Sequence, residues 1–221
     1  MNDPDRLNAH VELDSKDTHN PAAIVSWKMV HDFDPMYDGT PPWDIGRPQP
    51  ALEALLEAGR VRGRVLDVGC GTGEHALMAA AHGLNATGVD SSPKAIARAK
   101  TKAAERGLDV DFQVADALDL HALKKTFETV IDCGLFHVFD DESRALYVRS
   151  LAGAVAKGGS YFMLCFSDRV PPGFGPRRVS QQEIRDAFSD GWDVLSIEPV
   201  ICEVNFTPEG IHAWLAAIAR A

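Results

Sequence analysis

Short apolar segments alternate with helical segments from residue 64 to residue 200. This alternation is typical of a parallel β-sheet with helices on both faces, joined by right-handed crossovers. The sequence therefore predicts a doubly wound, Rossmann-like α/β fold, in which ligands bind outside the carboxyl ends of the strands. The predicted strands are 64–68, 85–90, 110–116, 127–134, 160–167 and 192–200, and the predicted helices are 51–59, 74–82, 91–107, 142–159 and 180–191.

The last segment, HAWLAAIAR (212–220), permits two interpretations. Its composition favours a helix. Its order also places Trp214, Ala216 and Ile218 on one side of an extended chain, which favours a strand that closes the sheet edge. We predict a strand here.

Composition narrows the class of protein. The chain has 221 residues, which suits one large domain, and its formal net charge is −10. An acidic chain without a basic stripe is a poor partner for nucleic acid. The four cysteines form no C-x-x-C motif, no apolar run is long enough to span a membrane, and no signal peptide is visible. We therefore expect a cytoplasmic protein with buried thiols.

The N-terminal region divides into a tail and a segment that covers the domain. Residues 1–20 are polar and predict a flexible tail. Residues 22–33 could form a short helix, and the stretch 34–50 contains five prolines, which exclude most regular structure. Because that stretch keeps Tyr37 and Trp43, we expect it to be ordered. The sequence predicts one domain over 21–221, with 21–50 as a lid that orders when a cofactor binds.

The stretch VLDVGCGTGEH, residues 65–75, places Gly69, Gly71 and Gly73 at every second position after the first strand. Glycine costs stability in regular elements, so three of them indicate a tight turn into a helix with a ligand close to the main chain. The N-terminus of that helix would offer free N–H groups to an anionic group. A plain tight turn is the alternative.

Two further acids follow predicted strands. Asp90 ends the second strand, where a carboxylate can accept both hydroxyl groups of a ribose, and Asp116 ends the third. The alternatives are a helix cap for Asp90 and a surface acid for Asp116, because Ser91 and Ser92 follow directly after Asp90. Together with the glycine turn, these acids predict a nucleoside-like ligand at the tips of three strands.

The spacing of the glycines distinguishes between two candidate cofactors. A dinucleotide site uses G-x-G-x-x-G, whereas this chain has G-x-G-x-G with Asp67 two residues upstream. An acid there suits the ammonium group of S-adenosylmethionine better than a pyrophosphate. A nicotinamide-dependent oxidoreductase remains a less favoured alternative, and a non-catalytic sensor or scaffold that binds S-adenosylmethionine is another.

The motifs LDVGCGTG, GVDSSP and VADA together resemble class I S-adenosylmethionine-dependent methyltransferases. GTPPWDIGRPQP, LFHVF and YFMLCFSDR resemble the small-molecule branch related to thiopurine, thiol/halide and heterocyclic-toxin methyltransferases. The resemblance implies a seven-stranded sheet with an antiparallel last strand. It further implies that the glycine turn holds the methionine part, and that the following residues hold or cover the rest of the cofactor: Trp27, Trp43, Asp90, Ser91, Asp116, Ala117 and Cys133.

The expected reaction is an in-line displacement at the sulfonium methyl group, for which alignment and exclusion of water matter most. His137 could take a proton from a hydroxyl acceptor or orient it, although a structural histidine is the alternative. Asp140 could orient His137 or cap the next helix. No metal is expected, and we expect a monomer or a weak homodimer. Methylation at O, N or S stays open for a small acceptor enclosed by Phe136, Phe139, Phe166 and Phe174.

Overall fold

The computed structural model describes residues 32–171 and 175–221, and the seven strands in these ranges form one sheet. The strands are β1 (Arg64–Val68), β2 (Asn85–Asp90), β3 (Asp111–Val114), β4 (Phe127–Cys133), β5 (Val155–Phe166), β6 (Trp192–Val204) and β7 (Thr207–Arg220), and the helices are α1 (Pro50–Glu57), α2 (Glu74–Ala81), α3 (Pro93–Arg106), α4 (Asp141–Ala154) and α5 (Gln181–Ala187). Three 3-10 helices cover Asp34–Asp38, Ala117–Leu123 and Phe136–Val138.

The strand order is β3-β2-β1-β4-β5-β7-β6. All pairs are parallel except those of β7, which runs antiparallel to both β5 and β6. The predicted fold class is therefore confirmed, including the antiparallel last strand. The chain reverses its winding direction between β1 and β4, so the carboxyl ends of these two neighbouring strands flank the crevice where such sheets bind ligands.

Each face of the sheet carries its own apolar core. One core packs α1, α2 and α3 against the sheet and includes Leu52, Leu77 and Ile96. The other packs α4, α5 and the 3-10 helix Ala117–Leu123 against the opposite face and includes Tyr147 and Ile184. Burial on both faces is the reason that the residues of β1 and β4 are buried in continuous runs rather than alternately.

The helix caps that the sequence predicts for α3 and α5 are present in the structure. The Ser92 hydroxyl accepts a hydrogen bond from the N–H of Ala95 at 3.0 Å and caps α3, and Gly107 ends that helix in the left-handed conformation. At α5, Ser180 and Glu183 form the predicted capping box.

Helix α4 ends five residues before its predicted end. The sequence predicts a helix to Gly159, but Val155 is extended and begins β5, because it pairs with Phe127 at the start of β4. Glycine fits at position 159, because a Cβ there would lie 3.2 Å from the carbonyl oxygen of Glu128 in β4 and 2.7 Å from that of Ala156. Strand pairing therefore overrides helix propensity in this stretch.

Strand β7 occupies the position between β5 and β6, so all its main-chain groups can pair on both sides. Its burial pattern shows six consecutive buried residues, from Ala213 to Ile218. The strand predicted for 212–220 is confirmed, and it begins earlier, at Thr207. No helix in the two described ranges is long and apolar enough to cross a bilayer.

Gly73 and Gly83, two glycines in the left-handed conformation, provide a matched test of how tightly β3 and α3 pack against the glycine turn. Gly73 and Gly83 have φ values of +87° and +79°, but only Gly73 is crowded: a Cβ there would lie 2.5 Å from the Phe112 ring and 3.0 Å from the Ala99 Cβ. We expect Gly83→Ala to cost about 1 kcal/mol of unfolding free energy through backbone strain. Gly73→Ala should cost about 1–3 kcal/mol more through overpacking. Urea denaturation measures both, and equal losses would mean that Phe112 and Ala99 yield freely to the added methyl group.

Candidate active site

The glycine turn after β1 is held by β2. Gly69 and Gly71 have φ values of +66° and +54°, a conformation that glycine adopts without strain. The N–H of Cys70 donates to the carbonyl of Val89 at 2.9 Å, and the N–H of Gly71 donates to Asp90 Oδ2 at 2.8 Å. The turn is thus a fixed structure at the carboxyl edge of the sheet.

Asp67 lies fully buried in β1, beneath this turn. Its Oδ2 accepts a hydrogen bond from the N–H of Ala76 at 3.1 Å, in the first turn of α2. Its Oδ1 has no hydrogen-bond partner among the described residues. Burial raises the pKa of Asp67 to about 7, and the negative charges of Asp90 and Asp132 add to this rise. A buried carboxylate with one unmatched oxygen indicates a place for a donor.

The side-chain space of the three glycines is taken by neighbouring protein groups. A Cβ on Gly69 would lie 3.0 Å from Leu135, and one on Gly71 would lie 3.0 Å from the Tyr37 hydroxyl. The N–H of Gly73 donates to the Cys70 carbonyl at 2.8 Å, and its missing side chain makes room for Phe112. The N–H groups of Gly71 and Gly73 are thus engaged within the protein and are not among the free N–H groups that the sequence predicts at the helix N-terminus.

Asp90 ends β2 at the same edge and is partly exposed. Besides the Gly71 bond, its Oδ1 accepts from the N–H of Ser92 at 2.8 Å. The predicted candidate Ser91 is exposed, while Ser92 is buried as the cap of α3. Each oxygen of Asp90 keeps a second lone pair for a ligand hydroxyl group.

The neighbouring strand places Asp116 beside Asp90. The last residue of β3, Val114, is paired in register with Asp90, so Asp116 follows at the same edge. Asp116 is exposed and accepts from the N–H of Leu118 at 2.8 Å, which caps the 3-10 helix that begins at Ala117. The predicted acids of β1, β2 and β3 therefore do meet at one edge.

Residues 32–49, here called the N-terminal strap, cross this edge. Asp34 accepts hydrogen bonds from the Ser92 hydroxyl at 2.6 Å and from the N–H of Lys94 at 3.0 Å. The Tyr37 hydroxyl lies over the glycine turn and accepts from Trp43 Nε1 at 3.3 Å. Trp43 is therefore held beside Tyr37 at the glycine turn, whereas Trp27 and residues 1–31 lie outside the described residues.

The far end of the strap is held by the β6–β7 hairpin. The N–H of Asn205 donates to the Pro42 carbonyl at 2.9 Å. The Gln49 side chain donates to the Glu203 carbonyl at 2.9 Å and accepts from the Glu203 N–H at 2.8 Å. Arg47 forms an ion pair with Glu203 as well. Strap, glycine turn and hairpin thus form one connected wall.

The turn after β4 is organised by Asp132, a buried acid that is not among the predicted site residues. Its Oδ2 accepts from the hydroxyl groups of Tyr147 at 2.8 Å and Tyr161 at 2.7 Å, and its Oδ1 accepts from the N–H of Leu135 at 2.8 Å. Burial raises the pKa of Asp132 to about 6. Only the apolar run around it, VIDCG, could have marked it as buried.

His137 follows in this turn and is buried. Its Nδ1 accepts a hydrogen bond from the N–H of Phe166 at 2.9 Å, and the two rings lie 4.7 Å apart. Because Nδ1 accepts, the ring carries its hydrogen on Nε2. Burial lowers the pKa of His137 to about 3, and the positive charges of Arg144 and Arg178 lower it further. Of the predicted roles, a neutral ring with an engaged Nδ1 favours orienting an acceptor through the Nε2 hydrogen over taking a proton from it.

Comparison with known proteins identifies the family. A model described as a methyltransferase domain matches residues 65–159. The 2-heptyl-1-hydroxyquinolin-4(1H)-one methyltransferase of Mycobacteroides abscessus is 44% identical over 168 residues, which are 75% of this chain and 74% of that protein. The chain belongs to the S-adenosylmethionine-dependent methyltransferases. This confirms the family that the motifs of the sequence resemble.

Two further relatives agree with this assignment. The probable thiol methyltransferase 2 of Arabidopsis thaliana is 28% identical over 163 residues, 72% of each chain. A solved structure from work on the conversion of a disulfide bond into a thioacetal group during echinomycin biosynthesis has a TM-score of 0.77 and 39% identity, covering 85% of this methyltransferase and 91% of that chain.

The structure shows the capping alternative for Asp140 and corrects the expectation for Phe136. Asp140 is exposed and accepts from the N–H of Ser143 at 2.8 Å, so it caps α4, and the N–H of Phe166 fixes the His137 ring instead. Phe136 is fully buried and packs against Phe188, with ring centroids 5.9 Å apart, so it is a core residue rather than a wall of the acceptor site.

The other aromatic candidates lie nearer the edge. Phe139 is half-buried against Tyr147, and Phe166 is half-buried against His137, while Phe174 lies outside the described residues. Cys133 ends β4 and is half-buried, and burial raises the pKa of its thiol well above the usual range. All four cysteines are free. Within 32–171 and 175–221, no group of three His, Cys, Asp or Glu side chains is arranged to hold a metal ion.

The buried Asp67 predicts a pH dependence of stability. Its pKa is about 7 in the folded methyltransferase, against about 4 when unfolded. Between these values the folded state binds more protons, so the unfolding free energy contributed by Asp67 falls as pH rises, by at most about 1.4 kcal/mol per pH unit. Asp67→Asn should flatten the stability curve between pH 4 and 7, and the exposed Asp193→Asn should not. Stability curves of the same slope for Asp67→Asn and the unsubstituted protein would contradict this.

Proposed function

We propose that this methyltransferase binds S-adenosylmethionine across the carboxyl ends of β1, β2 and β3 and transfers its methyl group to a small aromatic or heterocyclic acceptor. The observation that supports this most directly is the unmatched Oδ1 of the buried Asp67, at the switch point of the sheet and beneath the glycine turn. A buried acceptor atom without a partner costs about 1–3 kcal/mol, which a bound donor would offset.

The acids at this edge fit the proposed cofactor. An ammonium group, or a water molecule that it orders, would satisfy Asp67 Oδ1 and stabilise the ionised carboxylate. Asp90 would hold the ribose hydroxyl groups, and Asp116 with Ala117 would lie beside the adenine. Three carboxylates close together suit a cationic ligand and would repel a pyrophosphate, which disfavours the nicotinamide alternative.

The acceptor is proposed to lie on the other side of the crevice, near β4 and β5. Phe139, Phe166 and His137 supply an apolar wall with one N–H donor there. Two relatives carry names of small-molecule methyltransferases, one acting on a hydroxyquinolone and one on a thiol. These names support a small acceptor, and the aromatic residues support a planar one.

The residues of this chain would act mainly by positioning the cofactor and the acceptor relative to each other. When bound, S-adenosylmethionine supplies a methyl group on a positively charged sulfur. The strap holds Tyr37 and Trp43 at the glycine turn, which would exclude water, and the Nε2 hydrogen of His137 would donate to the acceptor. Alignment of this kind can contribute about 7–11 kcal/mol in well-oriented reactions. The lid role predicted for residues 21–50 would add to it.

A binding experiment tests the cofactor site. Titration calorimetry should detect S-adenosylhomocysteine and S-adenosylmethionine, and NAD(H) should not bind. Asp90→Ala should weaken S-adenosylhomocysteine binding by at least about tenfold, because hydrogen bonds to a charged group are lost. Asp193→Ala, an exposed acid on β6, is the control and should bind like the unsubstituted protein. Unchanged affinity in Asp90→Ala, with its fold verified by circular dichroism, would refute the site.

A turnover experiment tests the reaction. With S-adenosylmethionine, we expect methylated products from a panel of phenols, hydroxyquinolones, thiols and iodide, detected by mass spectrometry together with S-adenosylhomocysteine. Tight cofactor binding without turnover of any acceptor would favour the sensor alternative instead.

A further inference from the structure

Two arginines beside His137 keep buried N–H donors without partners. Within the described residues, Arg144 Nε, Arg144 Nη2 and Arg178 Nε are buried and have no hydrogen-bond partner. Arg144 is 5% exposed, and its one ionic contact, Nη1 to Glu183 Oε1, is long at 3.6 Å. Unpaired buried donors on charged groups are costly, so their presence on two neighbouring side chains calls for an acceptor.

Both arginines lie near His137. The Arg144 guanidinium lies 4.5 Å from the ring centroid of Phe136, the core residue directly before His137 in the turn after β4. The Cβ position of Gly175 lies 3.6 Å from the Phe166 ring and 3.9 Å from Arg178 Nη1, so Arg178 reaches the aromatic wall from the other side. The positive charges of both arginines lower the pKa of His137, so both lie near its ring. His137 is a third residue with a donor here, the hydrogen on Nε2.

The neighbouring acids do not neutralise this group of donors. Arg177 forms ion pairs with Asp141 and Glu183, so both of these carboxylates are already shared with a second cation. Arg178 Nη1 and Nη2 donate to main-chain carbonyls, of Pro176 and Pro171, which are uncharged. Cys165, also near Arg144, is a buried thiol whose pKa burial raises. Arg177 therefore shares the two nearest carboxylates, and the buried donors of Arg144 and Arg178 stay without a partner among the described residues.

Resting on the proposed function, we propose that the acceptor is bound as an oxyanion, a phenolate or the N–O⁻ of a hydroxylated heterocycle, held by Arg144, Arg178 and His137. The anion forms its bond to the methyl carbon as the carbon–sulfur bond breaks, and the sulfur keeps that electron pair and becomes a neutral thioether. No proton moves in this step. It therefore needs no general base, which agrees with the engaged Nδ1 of His137 and the capping role of Asp140.

The bound state of a coloured phenol tests this directly. In the presence of S-adenosylhomocysteine, 4-nitrophenol is titrated with pH, and the phenolate absorbance gives the apparent pKa of the bound and the free phenol. We expect binding to lower this pKa by about one unit or more, as nearby positive charges do. Arg144→Met should abolish most of the shift. Arg60→Met is the control, because Arg60 also stacks on a ring, at 5.2 Å from the centroid of Phe162, but keeps no unpaired buried donor.

A second variant and a separate measurement of cofactor binding distinguish a folding defect, or a failure of the proposed function, from a failure of the oxyanion proposal. If Arg144→Met fails to fold, Arg178→Met, at a half-buried residue, provides the same measurement. A phenol that binds with an unchanged or raised pKa, or that does not bind at all, overturns the proposal, and so does a shift that both arginine variants retain. Cofactor binding is measured first by calorimetry. Its absence would refute the proposed function, whereas cofactor binding with a neutral bound phenol refutes only the oxyanion.

A rate measurement adds a second readout. The pH at which kcat/KM levels off should follow the acceptor's own pKa across a series of substituted phenols. A break at one fixed pH for every phenol would indicate a titrating group of the protein and would overturn the proposal.

Discussion

The carboxylate of Asp67 joins the end of β1 to the first turn of α2 inside the protein, where water cannot substitute for it. The rest of the edge depends on this contact, because it fixes where α2 begins and hence how the chain must turn between them. Asp90 accepts hydrogen bonds from the glycine turn and from the residue that caps α3. Asp34 of the strap accepts a hydrogen bond from that same capping residue. A succession of acids at helix starts thus builds the crevice, which suits the polarity of helix N-termini.

The sequence predicts the features that depend on local chemistry. Strands β1, β2 and β4 follow from apolar runs, the caps of α3 and α5 follow from Ser92, Ser180 and Glu183, and the acids of three strand ends meet because the strands are parallel. The end of α4 does not follow from local chemistry. The stretch after Ala154 has helical composition, and only the pairing of Val155 with distant Phe127 makes it a strand.

The chemistry of individual side chains is harder to predict for the same reason. The hydrogen on His137 is placed by the N–H of Phe166, 29 residues later in the chain. Arg144 and Asp132 carry no sequence signal of burial beyond apolar neighbours, yet one is a buried cation over a ring and the other a carboxylate shared by two tyrosines. The sequence predicts Phe136 as a wall of the acceptor site, but the residue is buried in the core. The sequence does not show in which direction the turn after β4 points this side chain.

The hydrogen bonds between strap and hairpin link parts of the chain that are synthesised far apart in time. Asn205 is bonded to Pro41, 164 positions earlier, and Gln49 to Glu203, 154 positions later. A nascent chain that emerges from its N-terminus therefore presents the glycine turn and its acids long before the hairpin that anchors the strap exists. This edge of the sheet is completed only after Glu203 and Asn205 have been synthesised, so a chain truncated within β6 would retain β1 to β5 but lose the anchor of the strap.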